Sequence, residues 1–340
     1  MMLSYRTRRN LKLLGAICVA LAALALVALL CWMLWLGRYI VYTQDGVKLD
    51  FSLSPDLPWG EQAVTPEPEP SMPVIYEDAP INPDTGAPAL TQLSGYYVSL
   101  IAEGTDLAAV RSQLEQLPKG TPVLMEIKSF WGVAFYSSST TTHISTNAAQ
   151  IDELISWAKD RFYLIARVPA FRDYWFGREN VAYGLPRKGG PGSLWDDEDD
   201  CYWLNPGSQG TISHLVRVAT ELRDKGFSEV VFSDFCFPNT DQIVFEGDRL
   251  AALNQAAADI VNTCAGENFT VSFMRSDTVL TLPEGNTRLY LSNVSAADVE
   301  AMGQGAIVTD PITQVVFLAP TGDTRYNAYG VLRPLELAQS

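Results

Sequence analysis

Histidine is nearly absent from this chain of 340 residues: there are two, His143 and His214. A histidine-rich metal site or a histidine-based triad therefore has little to build on. His143 lies in a Ser/Thr-rich stretch, and His214 is expected at the solvent edge of a helix. Cysteine is sparse as well. Cys18 and Cys31 fall in a long apolar run, leaving Cys201, Cys236 and Cys264, an odd set without metal-type spacing. They read as buried thiols, with one disulfide as the alternative. Basic residues are outnumbered, 24 Lys+Arg against 39 Asp+Glu, for a net charge of −15. Such a chain cannot neutralise a row of phosphates, so nucleic acid is excluded as a partner. No Gly-rich phosphate loop follows the first strand, so nucleotide binding of that kind has no support and no cofactor is expected.

Charge is also missing locally. From Leu13 to Leu36 there is none. As a helix this run is about 36 Å long, enough to cross a bilayer core of about 30 Å. Arg6, Arg8, Arg9 and Lys12 precede it, which keeps residues 1–12 cytoplasmic as a basic tail, and Trp32 and Trp35 suit the outer interface. The run is too long for a cleaved signal, and no small-x-small site follows. Bulky Leu29 and Leu30 before Cys31 argue against a lipoprotein site. The expectation is a single-pass anchor in the cell membrane over residues 13–36, with everything after it extracytoplasmic. Residues 37–94 follow as a short hairpin, turning at Asp45-Gly46, and a stalk dominated by Pro55, Pro58, Pro66, Pro68, Pro70, Pro73, Pro80, Pro83 and Pro88.

What is abundant begins near Gly95. Apolar strands alternate with helices: strands at 96–101, 123–127, 162–168, 229–232, 269–274, 288–291 and 306–308; helices at 107–117, 148–159, 212–225, 251–264 and 296–302. Leu215, Val218, Ala219 and Leu222 share one helical face, and Gly226 stops that helix. Continuous apolar strands bounded by helices imply parallel pairing. The length, residues 95–340, suits a TIM-type (β/α)8 barrel, although an open doubly wound sheet alternates in the same way.

With metals and histidines set aside, carboxylates at strand tips are the remaining chemistry. Four segments carry polar groups there: Leu124-Met125-Glu126-Ile127-Lys128, Ile165 to Asp173 with Arg167 inside it, Trp203-Leu204-Asn205-Pro206, and Gly226 to Pro238 with Asp234 and Phe235. Phe130, Trp131, Tyr174, Trp175, Trp195, Tyr202, Trp203, Phe235 and Phe237 surround them. Sugar rings stack on such faces, while their hydroxyls need carboxylates and amides. The plain alternative is architectural: Glu126 paired with Lys128 or Arg167 inside the barrel, Asp234 capping a turn, and the aromatics as core.

In order and spacing the four segments resemble a family of bacterial predicted glycoside hydrolases with an α/β barrel, long known as a domain of unknown function. Its pattern runs V-I-D-V-K, I-A-R-I-x-x-F-K-D, W-x-N-P and G-F-D-E-I-Q-F-D-Y-V-R-F-P. The resemblance implies a barrel that hydrolyses glycosidic bonds in polysaccharide or cell-envelope glycan through a carboxylate pair. Carried onto this chain, the pair is Glu126 and Asp234, with Asp173 and Asp277 in reserve. Lys128, Arg167, Asp173, Trp203, Asn205 and Phe235 would contact substrate. The chain departs from the pattern at Glu126, at Ser129-Phe130, at Ser233 where an aspartate is expected, and at Cys236 where an arginine is expected. A one-residue shift puts a strand side chain on the opposite face. Asp234 therefore reaches a cleft only if the strand tip bulges or has already turned. The alternative function is a barrel without turnover that binds glycan or a protein partner.

Overall fold

The computed structural model describes residues 40–43, 46–49, 90–100, 106–190, 192–266 and 268–335. The apolar run at 13–36 and the proline-rich residues 51–89 lie outside these. No helix among the described residues is long and apolar enough to cross a membrane. The chain divides into two units, residues 1–74 and 75–340. In the first, Ile40–Thr43 pairs antiparallel with Gly46–Leu49. Gly46, expected in the turn, pairs with Thr43 as the first residue of the second strand.

In the second unit eight parallel strands close into a barrel. They are β1 (Ser94–Ser99), β2 (Pro122–Glu126), β3 (Tyr163–Pro169), β4 (Glu229–Ser233), β5 (Thr270–Arg275), β6 (Leu289–Leu291), β7 (Val315–Leu318) and β8 (Gly330–Pro334). β8 pairs with β1 to close the ring. The helices are α1 (Leu107–Leu114), α2 (Ala148–Ala158), α3 (Tyr174–Glu179), α4 (Gln209–Asp224), α5 (Arg249–Cys264), α6 (Val299–Gly305) and α7 (Pro311–Gln314). The closed ring decides against the open sheet.

Two expectations need correction here. Ala306–Val308 is not a strand; only Ile307 makes an isolated bridge, to Thr281. The last two staves are instead Val315–Leu318 and Gly330–Pro334. Both are too short to show a period, and β8 ends in a proline. Buried on both sides by closure, they need no alternation.

Alternation fixes what points inward. Leu93, Leu124, Ile165, Val231, Met274, Tyr290, Val316 and Leu332 form one buried cluster, with one residue from each strand or, for Leu93, from just before it. This is the barrel interior. The intervening residues, such as Val123, Met125, Leu164, Ala166, Val230, Phe232, Val271 and Phe273, join the helices in a larger cluster outside the ring. Below the interior layer lies a polar floor. Arg288 pairs with Glu229 at 2.6 Å, and Glu229 accepts from Tyr163 at 2.9 Å and from Ser272 at 2.5 Å. Two residues above Leu124, Ile165 and Val231 stand Glu126, Arg167 and Ser233, at the C-terminal mouth.

Candidate active site

Glu126 is the last residue of β2 and stands in register with Ser99 of β1 and Arg167 of β3. Its carboxylate accepts from the Ser99 hydroxyl at 2.8 Å and lies 3.5 Å from the Arg167 guanidinium. Arg167 Nε is buried and makes no hydrogen bond among the described residues. One strand further on, β4 ends at Ser233, and Asp234 has φ +52. That left-handed residue breaks the strand alternation. Its carboxylate curls back to accept from the Ser233 hydroxyl at 3.1 Å, beside the one β4 side chain that enters the mouth. The chain has left the extended strand at this residue.

Lys128 and Asp173 are brought together, but with each other. Lys128 Nζ pairs with Asp173 Oδ2, and both side chains are buried. Asp173 Oδ1 also caps α3 through the Phe176 amide at 3.0 Å. Burial pushes the Asp173 carboxyl up, but the adjacent Lys128 ammonium and the His214 ring together outweigh it and hold it well below the usual carboxylate range. Gly132, at φ +83, packs against the same carboxylate; a Cβ there would sit 2.2 Å from Asp173 Oδ1. Amides of Tyr174 and Trp175 bond to carbonyls of Phe130 and Trp131. Lys128 and Asp173, with Gly132 and these backbone bonds, thus zip the loop after β2 to the loop after β3.

His214 completes this knot. It is buried, not at a solvent edge, with its ring stacked 3.7 Å from Phe176. It shares the inward stripe of Thr211, Val218 and Leu222, spaced by three and four residues. Its Nε2 lies 3.7 Å from Asp173, too far for a hydrogen bond. Burial lowers its pKa.

The other expected contacts divide. Asn205 Oδ1 accepts from the Gly207 amide at 2.9 Å, which commits it to the turn before α4. Phe235 is wholly buried between Phe171 and Phe273, with centroids at 4.8 and 4.4 Å. Trp203 gives its indole N–H to Asp197 at 2.9 Å and lines a cleft. That cleft, about 900 Å³, opens over the tips of β3, β4 and β5 between Trp195, Trp203, Phe237, Arg249 and Asp277. Glu126 and Asp234 are not among its lining residues. Trp131, 38% exposed, meets Tyr174 at 5.1 Å, and Tyr174 stacks on Tyr202 at 5.3 Å. The thiols are free: Cys201 and Cys264 are buried, and Cys236 half-buried on the cleft, its pKa pushed up to about 11 by burial.

Two features escaped sequence reasoning. The acidic run Asp196–Asp200 folds inward because Arg172 takes Asp197 at 2.6 Å and also Asp199; five consecutive acids beside two tryptophans were the available signal. The other is Arg275, which forks onto Asp277 with two bonds of 2.7 Å and donates to the Phe235 carbonyl. Burial raises the Asp277 carboxyl, but this fork outweighs it and lowers the pKa.

Residues 119–266 match the family described as "Putative glycosyl hydrolase domain". All four motif segments lie inside that match, which covers less than half of the chain. The chain carries a glycoside hydrolase-like domain, as the motifs implied. No curated protein matches the chain. Solved structures similar to it include a hypothetical protein from Ruminiclostridium thermocellum ATCC 27405, with 19% identity, 52% of this chain and 96% of that one, and a TM-score of 0.45. The glycoside hydrolase domain of PelA from Pseudomonas aeruginosa gives 14%, 72%, 95% and 0.44. Aspergillus fumigatus Ega3 in complex with galactosamine gives 10%, 74%, 96% and 0.43.

Proposed function

We propose that the barrel hydrolyses glycosidic bonds in a polysaccharide or cell-envelope glycan, with Glu126 and Asp234 as its carboxylate pair. The observation that carries this is the broken alternation at Asp234, which sets a second acid beside the mouth that Glu126 already faces. Glu126, accepting from Ser99 and facing Arg167, is the base that activates water. Asp234 protonates the leaving oxygen. β3 stands between the two strands, so their backbones are roughly 9–10 Å apart at about 4.8 Å per strand spacing. That separation favours the wider carboxylate pair of inverting enzymes, about 6.5–9.5 Å, over the about 5–5.5 Å of retaining ones. The exposed aromatic rim at Trp131 and the cleft at Trp195 and Trp203 offer stacking faces for neighbouring sugar rings. Anchored by residues 13–36, the domain would work outside the cell.

Glu126→Gln and Asp234→Asn are each expected to abolish release of reducing ends from envelope polysaccharide while the circular dichroism spectrum stays unchanged. Full release by both variants would sink the pair. A second reading, binding without turnover, is favoured by Ser233 standing where the family pattern carries an aspartate. Retention of glycan by the wild type without any product would establish that reading instead.

A further inference from the structure

A non-glycine residue at positive φ persists only where its surroundings over-determine it. Asp234 is one of three such residues among those described. The neighbour that fixes its segment comes from the next strand. Arg275 ends β5, is 8% exposed, and donates Nη1 to the carbonyl of Phe235, the residue after Asp234. Two further donors are held by Asp277, Nε to Oδ1 and Nη2 to Oδ2, both at 2.7 Å. A planar fork held on two sides has no freedom to leave the carbonyl. On the other flank the Ser233 carbonyl accepts from the Ala170 amide at 2.7 Å. The peptide group before Asp234 and the one after Phe235 are thus each held, and the Phe235 ring is wedged between Phe171 and Phe273.

We infer that Arg275, braced by Asp277, is the positioning residue that holds Asp234 in its left-handed turn and so sets where the Asp234 carboxylate meets a substrate. The inference rests on the carboxylate-pair reading for its purpose but not for its geometry. Asp277 then acts through Arg275 and is not itself one of the pair.

The test needs no substrate, so its failure is distinct from failure of the hydrolase reading. The Asp234 amide–Hα coupling and Cα shift in an NMR spectrum report the left-handed backbone. Arg275→Lys keeps the charge but cannot fork, and is expected to erase that signature. Asp277→Asn, which leaves Arg275 in place, is expected to move it in the same direction by less. Thermal midpoints complete the cycle. Arg275→Lys lowers the midpoint in the wild type and lowers it less in an Asp234→Gly background, where no strain remains to be held. Equal midpoint losses for Arg275→Lys in both backgrounds would overturn the inference, and so would an unchanged Asp234 signature in Asp277→Asn, which can be read even if Arg275→Lys fails to fold.

Discussion

Asp173 carries the heaviest electrostatic load of any single residue in the loops around the mouth. Its carboxylate is buried with Lys128, capped on α3 and approached by Gly132. Removing one partner of a buried pair leaves the other charge uncompensated, at a cost of about 3–5 kcal/mol. Lys128→Met is therefore expected to lower the urea-unfolding free energy by that amount, whereas a surface pair such as Arg111–Glu115 contributes about 0.3–0.5 kcal/mol. Equal, small effects of both substitutions would refute the assignment. The same knot sets a pH dependence. His214 and Asp173 both titrate lower in the fold than in the unfolded chain. The unfolded state therefore binds more protons as pH falls, and stability is lost in that direction. The His214 contribution is complete above about pH 6.5 and declines below it; the Asp173 contribution declines only below about pH 4. His214→Phe, keeping a ring on Phe176, should flatten the urea midpoint between about pH 6.5 and pH 5 without altering the loss below about pH 4. A wild-type slope retained in this variant would show that His214 is not the group responsible.

Among the elements, the loop after β2 carries a Ser/Thr stretch that is not slack. Glu221 of α4 gathers it. Its carboxylate accepts from the Tyr136 hydroxyl at 2.9 Å, from the Ser138 and Ser139 hydroxyls at 2.7 Å each, and from the Ser139 amide. Burial raises the Glu221 pKa, but these donors outweigh it and lower it. Hydrogen bonds to a charged group are worth about 1.5–3 kcal/mol. Glu221→Ala should therefore speed amide exchange at residues 138–140 by one to two orders of magnitude, about 10–100-fold, and leave β2 and α4 protected. Uniform loss of protection would mean that the carboxylate supports the barrel rather than the loop. The sequence made this loop visible only as a polar run, because a carboxylate nest draws on residues some 80 positions apart. The strands β1 to β6 were legible because each falls in an apolar run, four of them ending at a polar residue, Ser99, Glu126, Ser233 and Arg275. β7 and β8 were not: β7 is only four apolar residues, which read equally well as helix or loop, and β8 has two, Val331 and Leu332, before Arg333 and Pro334. The site divided along the same line. Glu126 and Asp234 were readable as acids at strand tips. Lys128, Asp173 and Asn205 had the right motif positions and turned out to hold loops, because spacing along the chain does not say whether a charge faces solvent or another charge.

For the whole molecule, the sequence boundary at Gly95 is set by where proline stops, while the physical boundary is set by where the barrel's own contacts start. Leu93 is 4% exposed and supplies one member of the interior layer. Its carbonyl accepts from the Val331 amide at 2.8 Å. Ser94 opens the β1–β8 register that closes the ring. Thr91 gives its carbonyl to Arg288, the cation of the buried floor, at 3.2 Å. A chain beginning at residue 96 keeps most of β1 yet lacks all of these. Deleting a buried leucine alone costs about 2–5 kcal/mol, and the freed Arg288 donor and Val331 amide add to it. A fragment of residues 90–340 should unfold in one cooperative urea transition. A fragment of residues 96–340 should unfold at least about 3 kcal/mol more easily, with amide protection lost first in β8. If the two fragments unfold together, closure does not depend on these residues, and the barrel is held by its seven remaining strand pairs.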